Sequence, residues 1–101
     1  MKKRTYRAFD EIEYEVLKKR PDAIKGYLEA ALEEYQKDGN ERAFLSALAM
    51  VARVKGGFTK ISRDTGLNRE HLYRALSPKG DPRLSTLREI LHSLGITLKV
   101  A

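Results

Sequence analysis

Five polar side chains follow one another closely in the stretch that begins after Gly66. They are Asn68, Arg69, Glu70, Tyr73 and Arg74. Two guanidiniums, a carboxamide, a carboxylate and a phenol are groups that can address base edges and phosphates. If the stretch is helical, all five lie opposite Leu72 and Ala75, which recur at a helical spacing. This pattern favours recognition of DNA by the N-terminal half of a helix placed in the major groove.

Further candidate DNA contacts flank this set, at Thr59, Lys60, His71, Lys79 and Arg83. Lys79 and Arg83 belong to a loop of Pro, Gly and charged residues after Ser77, and we expect them to contact phosphates. His71 lies one turn from the start of the helix. There it either contacts a phosphate or only completes that turn, and the sequence leaves both roles open.

The elements that must position these residues are two short helices joined by a tight turn, over residues 58–77. Thr59 is a candidate cap for the first helix, and Asn68 is a candidate cap for the second. Gly66 supplies the positive φ that the turn demands. The inward apolar set is then Ile61, Leu67, Leu72 and Ala75. The pattern resembles the helix-turn-helix of repressors, and the alternative is an ordinary αα-hairpin in a helical bundle.

The length and the net charge of the chain limit the classes of protein to which it can belong. A chain of 101 residues with 42% hydrophobic residues is one domain with a modest core. The formal net charge is +6, which favours polyanionic partners. From Lys55 onward there are nine Lys and Arg against four Asp and Glu, whereas the preceding residues hold eleven against ten. The basic excess therefore accompanies the two short helices.

Several classes of function are not expected. The chain has no cysteine, so disulfides and thiolate metal sites are excluded, and a reducing cytoplasm fits this composition. No apolar run approaches the roughly 18 residues that a membrane span needs. His71 and His92 have no evident catalytic partner, and no phosphate-binding loop, GxSxG or HExxH occurs. We expect no enzyme activity, no cofactor and no metal.

The pattern of the first half of the chain predicts helices that would pack against the candidate site. Thr5 to Phe9 alternates like a short strand, and Asp10 to Arg20 reads as a short helix that Pro21 stops. The acidic residues Asp10, Glu11, Glu13 and Glu15 form either a solvated helix start or a surface for a basic protein. A clear helix over Asp22 to Lys37 follows. Asn40 then caps a helix over Glu41 to Lys55, whose broad apolar surface predicts contacts on two sides.

The end of the chain predicts one more helix and a strand. Ser85 is the candidate cap of a helix that Gly95 ends, and the alternating Ile96 to Val100 reads as a strand. That strand would pair with Thr5 to Phe9 or with a second copy. The fold class is therefore all-α, with about five helices and a short C-terminal β-strand. Residues 1–20 form an N-terminal arm and short helix, and residues 21–101 form the helix-turn-helix domain.

A homodimer is expected because one recognition helix reads only a few base pairs. The candidate interfaces are the C-terminal strand and the broad apolar helix from Glu41 to Lys55. A homodimer would place two recognition helices on a palindromic site in double-stranded DNA.

Residues 57–95 resemble the addiction-module antidote family, the HigA-like antitoxins. The resemblance is carried by G-x-T-x-I from Gly57, T-G-L-x-R-E-x-L-Y-R-A-L-S from Thr65, and G-x-P-x-x-x-T-L-x-x-I-L-x-x-L-G from Gly80. It implies an all-α, lambda-repressor-like fold and a cytoplasmic DNA-binding antitoxin. It also implies a RelE-like or HigB-like ribonuclease toxin as partner, and repression of the shared operon. Two alternatives stay open, namely a free-standing or phage-type regulator without a toxin, and an interaction module that never meets DNA.

Overall fold

The computed structural model describes the backbone of residues 2–99 and the side chains of residues 10–99. Six α-helices make up this part of the chain. They are α1 (Lys2–Lys19), α2 (Ile24–Asp38), α3 (Glu41–Val54), α4 (Gly57–Thr65), α5 (Arg69–Ala75) and α6 (Leu84–Leu94), with a 3₁₀ turn at Pro21–Ala23. The all-helical class is therefore confirmed for the described residues, and each of the six helices corresponds to a segment that the sequence predicted as helical, against a predicted total of about five. None of the described helices is long and apolar enough to cross a bilayer.

Helix α3 is the central helix of the core. Its buried side chains are Phe44, Leu45, Ala47, Leu48, Met50, Val51 and Ala52. Helices α1, α2 and α4 all pack against it. The predicted contact on more than one side is thus confirmed, and all the partners belong to the same chain. Because these contacts bury the large apolar side chains of α3 within one chain, this apolar surface is not free to form a dimer interface, and the position of that interface stays a prediction.

Helix α1 differs from its prediction. The segment Thr5 to Phe9 is not a strand but part of an 18-residue helix that continues to Lys19. A lone five-residue strand leaves its backbone groups without partners, whereas extension of the neighbouring helix satisfies them within the helix. The predicted stop is confirmed, since α1 ends before Pro21 and a 3₁₀ turn follows.

Three side chains hold α1 against the rest of the molecule. Leu17 is buried in the core. The Tyr27 hydroxyl of α2 donates a 2.7 Å hydrogen bond to Glu13 Oε1, and the Arg53 guanidinium of α3 lies 4.9 Å from the centroid of the Tyr14 ring. Burial, followed by the hydrogen bond to Glu13, raises the pKa of the Tyr27 hydroxyl. These contacts settle which side of α1 faces the core.

The C-terminal segment is also not a strand over the residues described. Ile96 to Lys99 has no regular secondary structure, and Val100 lies outside the described residues. The expected partner segment, Thr5 to Phe9, is helical, so no strand is available within the described chain to pair with it. Instead Ile96 and Leu98 pack against the core. The Lys99 amide donates a 3.1 Å hydrogen bond to Glu29 Oε2 of α2.

The ends of the helices test the predicted caps. Asn40 caps α3 as predicted, with its Oδ1 accepting from the Ala43 amide at 3.2 Å. Gly95 ends α6 with φ +71°, as expected. Ser85 is not a cap, because α6 begins at Leu84 and Arg83 occupies the capping position without a side-chain hydrogen bond.

Candidate nucleic-acid interface

The three-residue turn between α4 and α5 is held by hydrogen bonds to side chains of α4. Gly66 has φ +78°, as predicted. The Ser62 hydroxyl donates to the Leu67 carbonyl at 2.6 Å. The Thr65 hydroxyl accepts from the Leu67 amide at 3.1 Å and donates to the Ile61 carbonyl at 2.7 Å. The polar groups of the turn are thus satisfied locally, which makes it a defined connection between the two helices.

The two predicted caps of this helix pair have different outcomes. Asn68 caps α5, with its Oδ1 accepting from the amides of Glu70 at 2.7 Å and His71 at 3.4 Å. Its carboxamide oxygen is therefore engaged, and only its NH₂ group remains to donate. Thr59 is not a cap, because α4 begins two residues earlier at Gly57 and Gly56 precedes it in a left-handed conformation. Thr59 instead lies exposed within α4.

The predicted separation of α5 into two sides is present in the structure. Ile61 and Leu72 are fully buried, Ala75 is buried, and Leu67 is partly buried against the core. The opposite side of α5 is exposed, and its side chains are Arg69, Glu70, His71, Tyr73 and Arg74. A helix of only seven residues thus has one side anchored in the core and a polar side that is open to a ligand.

An aromatic contact links the start of α4 to the exposed side of α5. The rings of Phe58 and Tyr73 meet edge to face, with centroids 4.5 Å apart and planes at 86°. Arg69 lies one turn before Tyr73, with its guanidinium carbon 5.9 Å from the centroid of the Tyr73 ring. Tyr73 nevertheless remains 52% exposed. Phe58 therefore supports an exposed ring, and that ring in turn supports an arginine.

Lys60 has a different surrounding from the other candidate DNA contacts. Its ammonium group lies 2.8 Å from Asp64 Oδ2 and 3.4 Å from the Ser93 carbonyl oxygen of α6. The Ser93 hydroxyl also donates to Asp64 Oδ2, at 3.0 Å. The hydrogen bonds from Lys60 and then Ser93 lower the pKa of Asp64. Lys60 thus joins α4 to α6, and its charge already has a partner.

A concave groove of about 500 Å³ lies between α5, the following loop and the start of α6. Four of the predicted DNA-contact residues line it, namely His71, Arg74, Lys79 and Arg83. Asp81 is the one acidic residue among its lining residues. The groove therefore gathers three permanent positive charges from two separate elements, an arrangement suited to an anionic ligand.

The start of α6 adds hydrogen-bond donors to this groove. The helix has no side-chain cap and no acidic residue in its first turn. The Leu87 amide bonds to the Arg83 carbonyl, so the three preceding amides of the helix have no partner within it. Thr86 lines the groove and is 8% exposed. Unpaired amides at the positive end of a helix dipole favour bound anions, phosphates included.

Gly80 allows the loop to approach α5 closely. A Cβ atom at this position would overlap the Ala75 carbonyl oxygen and lie 2.7 Å from the Arg74 carbonyl oxygen. The Gly80 amide donates to the Ser77 carbonyl at 2.8 Å. The loop therefore folds back over the end of α5 and brings Lys79 and Arg83 to the same groove as Arg74.

Sequence reasoning missed four residues that shape this region, namely Phe58, Gly80, Ser85 as a groove residue, and Thr86. Phe58 and Tyr73 are 15 positions apart, so no local spacing links their rings. For Gly80, Ser85 and Thr86 there was a usable signal, a Gly-Asp-Pro turn just before a predicted helix. Among the side chains of residues 10–99, no group of three or more His, Asp or Glu could hold a metal ion.

Comparisons with known proteins bear on this geometry. The sequence model of a family described as "probable addiction module antidote protein" matches residues 5–101. An uncharacterized protein of Haemophilus influenzae (strain Rd) is 36% identical over 69 residues, which are 68% of this chain and 70% of that protein. No solved structure matches the chain. The family match includes α4, the turn, α5, the groove and α6.

Proposed function

This chain belongs to the family of probable addiction module antidote proteins, and from that premise we propose that it is a sequence-specific DNA-binding antitoxin. In this proposal the α4–turn–α5 unit is a helix-turn-helix, and α5 is its recognition helix. The protein binds the operator of its own operon as a dimer and represses it. It also neutralises a toxin of the RelE-like or HigB-like ribonuclease class.

The main observation in favour of DNA binding is the exposed polar side of α5. Arg69, Glu70, Tyr73 and Arg74 are all exposed on a short helix whose other side is fixed by Ile61 and Leu72. A helix held in this way can enter the major groove without rearrangement of the core, and its first residues then reach base edges. Arg69 is the residue best placed for a base contact, since it opens α5 and lies against the Tyr73 ring.

We propose that a backbone phosphate of the DNA binds in the groove lined by Arg74, Lys79 and Arg83. Arg74, Lys79 and Arg83 supply charge, and the free amides at the start of α6 supply directed hydrogen bonds. Phosphate contacts of this kind set the register of a protein on the duplex without reading sequence. Thr59 lies exposed on α4 and is proposed as a second, outer phosphate contact. Lys60 is the weakest of the proposed contacts, because it must leave Asp64 to reach DNA.

We propose a dimer because one recognition helix reads only a few base pairs of DNA. Specific binding by this type of unit gains affinity when two recognition helices lie about 34 to 36 Å apart on a palindromic site. The large apolar side chains of α3 are buried within one chain, and Ile96 to Lys99 forms no strand. The buried apolar side of α3 is therefore not available to the proposed dimer, whereas pairing of the C-terminal segment with a second copy stays a prediction. Binding to an operator also places the protein in the cytoplasm.

The experiment that tests DNA binding is a gel shift with the DNA immediately upstream of the gene. A random-sequence duplex of the same length is the control, and both are titrated at several salt concentrations. We expect the operator to bind about a thousandfold more tightly or better, and both affinities to fall steeply with salt. Equal affinity for the two duplexes contradicts sequence-specific recognition, and binding to neither contradicts the DNA-binding role itself.

The antitoxin part is tested separately by co-expression with the protein encoded beside this gene. We expect the neighbouring product to arrest growth alone, and growth to be restored when this chain is present. If the neighbour is harmless while the operator still binds, the chain is a free-standing regulator and the toxin partner is withdrawn.

A further inference from the structure

Thr86, in the first turn of α6, is the one polar residue among residues 10–99 that is buried, with 8% of its surface exposed. Its hydroxyl makes no hydrogen bond within that range. No fully enclosed side-chain polar atom in the described part of the chain lacks a partner, so the Thr86 hydroxyl must reach the surface, and Thr86 lines the groove beside α5. Since buried hydroxyls normally have partners, this one is open to a ligand in the groove.

Two backbone amides at the start of α6 accompany this hydroxyl. The first hydrogen bond of the helix joins the Leu87 amide to the Arg83 carbonyl, so the amides of Ser85 and Thr86 have no partner within the helix. Helices α3 and α5 begin with asparagines whose side-chain oxygens accept such amides. In α6 the same position holds Arg83, and a guanidinium has no acceptor. The acceptor for these two amides is therefore water or a bound ligand.

The charged side chains of the groove also lack partners. Arg74, Lys79 and Arg83 line it, and none of them belongs to an ion pair among the described residues. Asp81 is the one carboxylate of its lining. With His71 neutral, three cations and one carboxylate leave a net charge of +2. A phosphodiester of DNA carries one negative charge, whereas a phosphomonoester carries about −1.5 to −2 at pH 7. The groove thus matches the charge of one phosphomonoester or of two neighbouring diesters.

The walls of the groove are held in place by contacts within the chain. The Gly80 amide bonds to the Ser77 carbonyl, and Gly80 approaches the Ala75 carbonyl so closely that no Cβ fits. Ile90 and Leu94 anchor α6 in the core. The groove volume of about 500 Å³ falls within the range of small-molecule sites. It therefore has room for a phosphoryl group together with the group that carries it.

We propose that the Thr86 hydroxyl and the amides of Ser85 and Thr86 form a preformed site for a phosphoryl group, with the cations of the groove around it. The site binds this group from free phosphate or a small phosphomonoester as well as from the DNA backbone. A free phosphoryl compound in the groove therefore competes with the operator. The competition with DNA rests on the proposed function, whereas the binding of free phosphate does not.

The first test measures binding of inorganic phosphate to the full chain by isothermal titration calorimetry, with ionic strength held constant by sodium chloride. Thr86→Val removes the hydroxyl and keeps the shape of the side chain, and Thr86→Ser keeps the hydroxyl. We expect Thr86→Val to bind phosphate about tenfold more weakly, the effect of one hydrogen bond to a charged group, and Thr86→Ser to resemble the wild type. Equal phosphate affinity in the wild type and Thr86→Val overturns the proposal. No binding by the wild type up to about 10 mM phosphate overturns it too.

Unfolding by denaturant separates this role from a structural one. Thr86→Val replaces an unpartnered hydroxyl by a methyl group, so it should be at least as stable as the wild type. A lower stability of Thr86→Val, reversed in Thr86→Ser, shows that the hydroxyl is a structural group and overturns the proposal.

A pair of charge variants on α6 tests the place of binding. Arg83→Ala removes a cation that lines the groove, and the matched control Arg88→Ala removes one from an exposed position outside it. We expect Arg83→Ala to lower the phosphate affinity about tenfold and Arg88→Ala to leave it unchanged. If the two variants lose phosphate affinity equally, only the net charge of the protein matters and the proposal is overturned.

Gel shifts then distinguish the two sources of the phosphoryl group. We expect inorganic phosphate to weaken operator binding by the wild type more than sodium chloride of equal ionic strength does, and this extra effect to be absent in Thr86→Val. Thr86→Val should also lose affinity for operator and random DNA by the same factor, because phosphate contacts read no sequence. If phosphate binding depends on Thr86 but neither effect on DNA is seen, the shared use of the site is overturned. If the chain binds no DNA while Thr86-dependent phosphate binding persists, the proposed function fails and the phosphate site stands.

Discussion

The ring of Phe58 lies edge-on against the ring of Tyr73, 4.5 Å between centroids, and this contact supports an exposed aromatic side chain on α5. Arg69 lies over the same Tyr73 ring. Three residues from two helices therefore form one continuous set of contacts at the proposed DNA surface. Because these contacts restrict side-chain rotation, Arg69 and Tyr73 should lose less entropy when they bind a ligand.

A double-mutant cycle on Phe58 and Tyr73 tests that unit. We expect Phe58→Leu and Tyr73→Leu to show a coupling energy of about 0.5 to 1.5 kcal/mol in operator binding, the range found for aromatic pairs. Gel shifts on the wild type, both single variants and the double variant supply the four affinities. Strictly additive losses in operator affinity show that Phe58 does not act through Tyr73.

Arg69 and Lys79 are expected to contribute to DNA binding in different ways. Arg69 opens the recognition helix, so Arg69→Ala should cost ~1 to 3 kcal/mol on the operator and relax the preference at one base pair. Lys79 lines the phosphate groove, so Lys79→Ala should weaken operator and random DNA alike and reduce the salt slope by about one. Competition gel shifts at three salt concentrations distinguish them. An equal loss on operator and random DNA for Arg69→Ala counts against base reading.

Gly66 provides a test of the turn, with Gly26 as its matched control. Gly66 has φ +78°, a conformation that strains a β-branched side chain, so Gly66→Val should lose at least ~1 kcal/mol of unfolding free energy. Gly26 lies inside α2 with nothing within 4 Å of an added Cβ. Gly26→Ala should therefore gain about 0.5 to 1 kcal/mol. Chemical denaturation of both variants gives the values, and equal stability of wild type and Gly66→Val removes the turn assignment.

The Asp64 carboxylate should make the folding stability of the protein depend on pH. Hydrogen bonds from Lys60 and Ser93 lower its pKa in the folded state. A lowered folded pKa contributes stability that is present above the unfolded pKa, roughly 4, and is lost as pH falls through the folded pKa. Melting temperatures should therefore fall less steeply below pH 4 in Asp64→Asn than in the wild type. Parallel curves for the two proteins show that Asp64 contributes nothing.

The proposed dimer predicts a specific hydrodynamic result. Sedimentation at micromolar concentration should give a dimer when the protein is bound to a palindromic operator fragment, and footprinting should protect two half-sites about one helical turn apart. A half-site fragment is the control, and it should bind much more weakly. A monomer on the palindromic fragment rules out the dimer.

The sequence alone determined the features that depend on local spacing and local conformation. Apolar residues at intervals of three and four identified α2, α3, α5 and α6, because the helical period places such residues on one side. Gly66 and Asn68 identified the turn, because positive φ and N-capping are requirements of single residues. The same periodicity correctly assigned Ile61 and Leu72 to the core and Arg69 and Arg74 to solvent.

Only the tertiary structure decided the features that depend on contacts between distant segments. Neither the strand predicted at Thr5 to Phe9 nor the one predicted from Ile96 is present among the described residues, since alternation shows that a segment can form a strand but not that a partner lies beside it. The pairing of Lys60 with Asp64 and Ser93, the support of Tyr73 by Phe58, and the close approach of Gly80 to Ala75 all require particular packing between helices. The exposed pair Ile12 and Val16 emerges in the same way, because α1 could bury only one of its two apolar sides, and the contacts of Glu13, Tyr14 and Leu17 with α2 and α3 decided which.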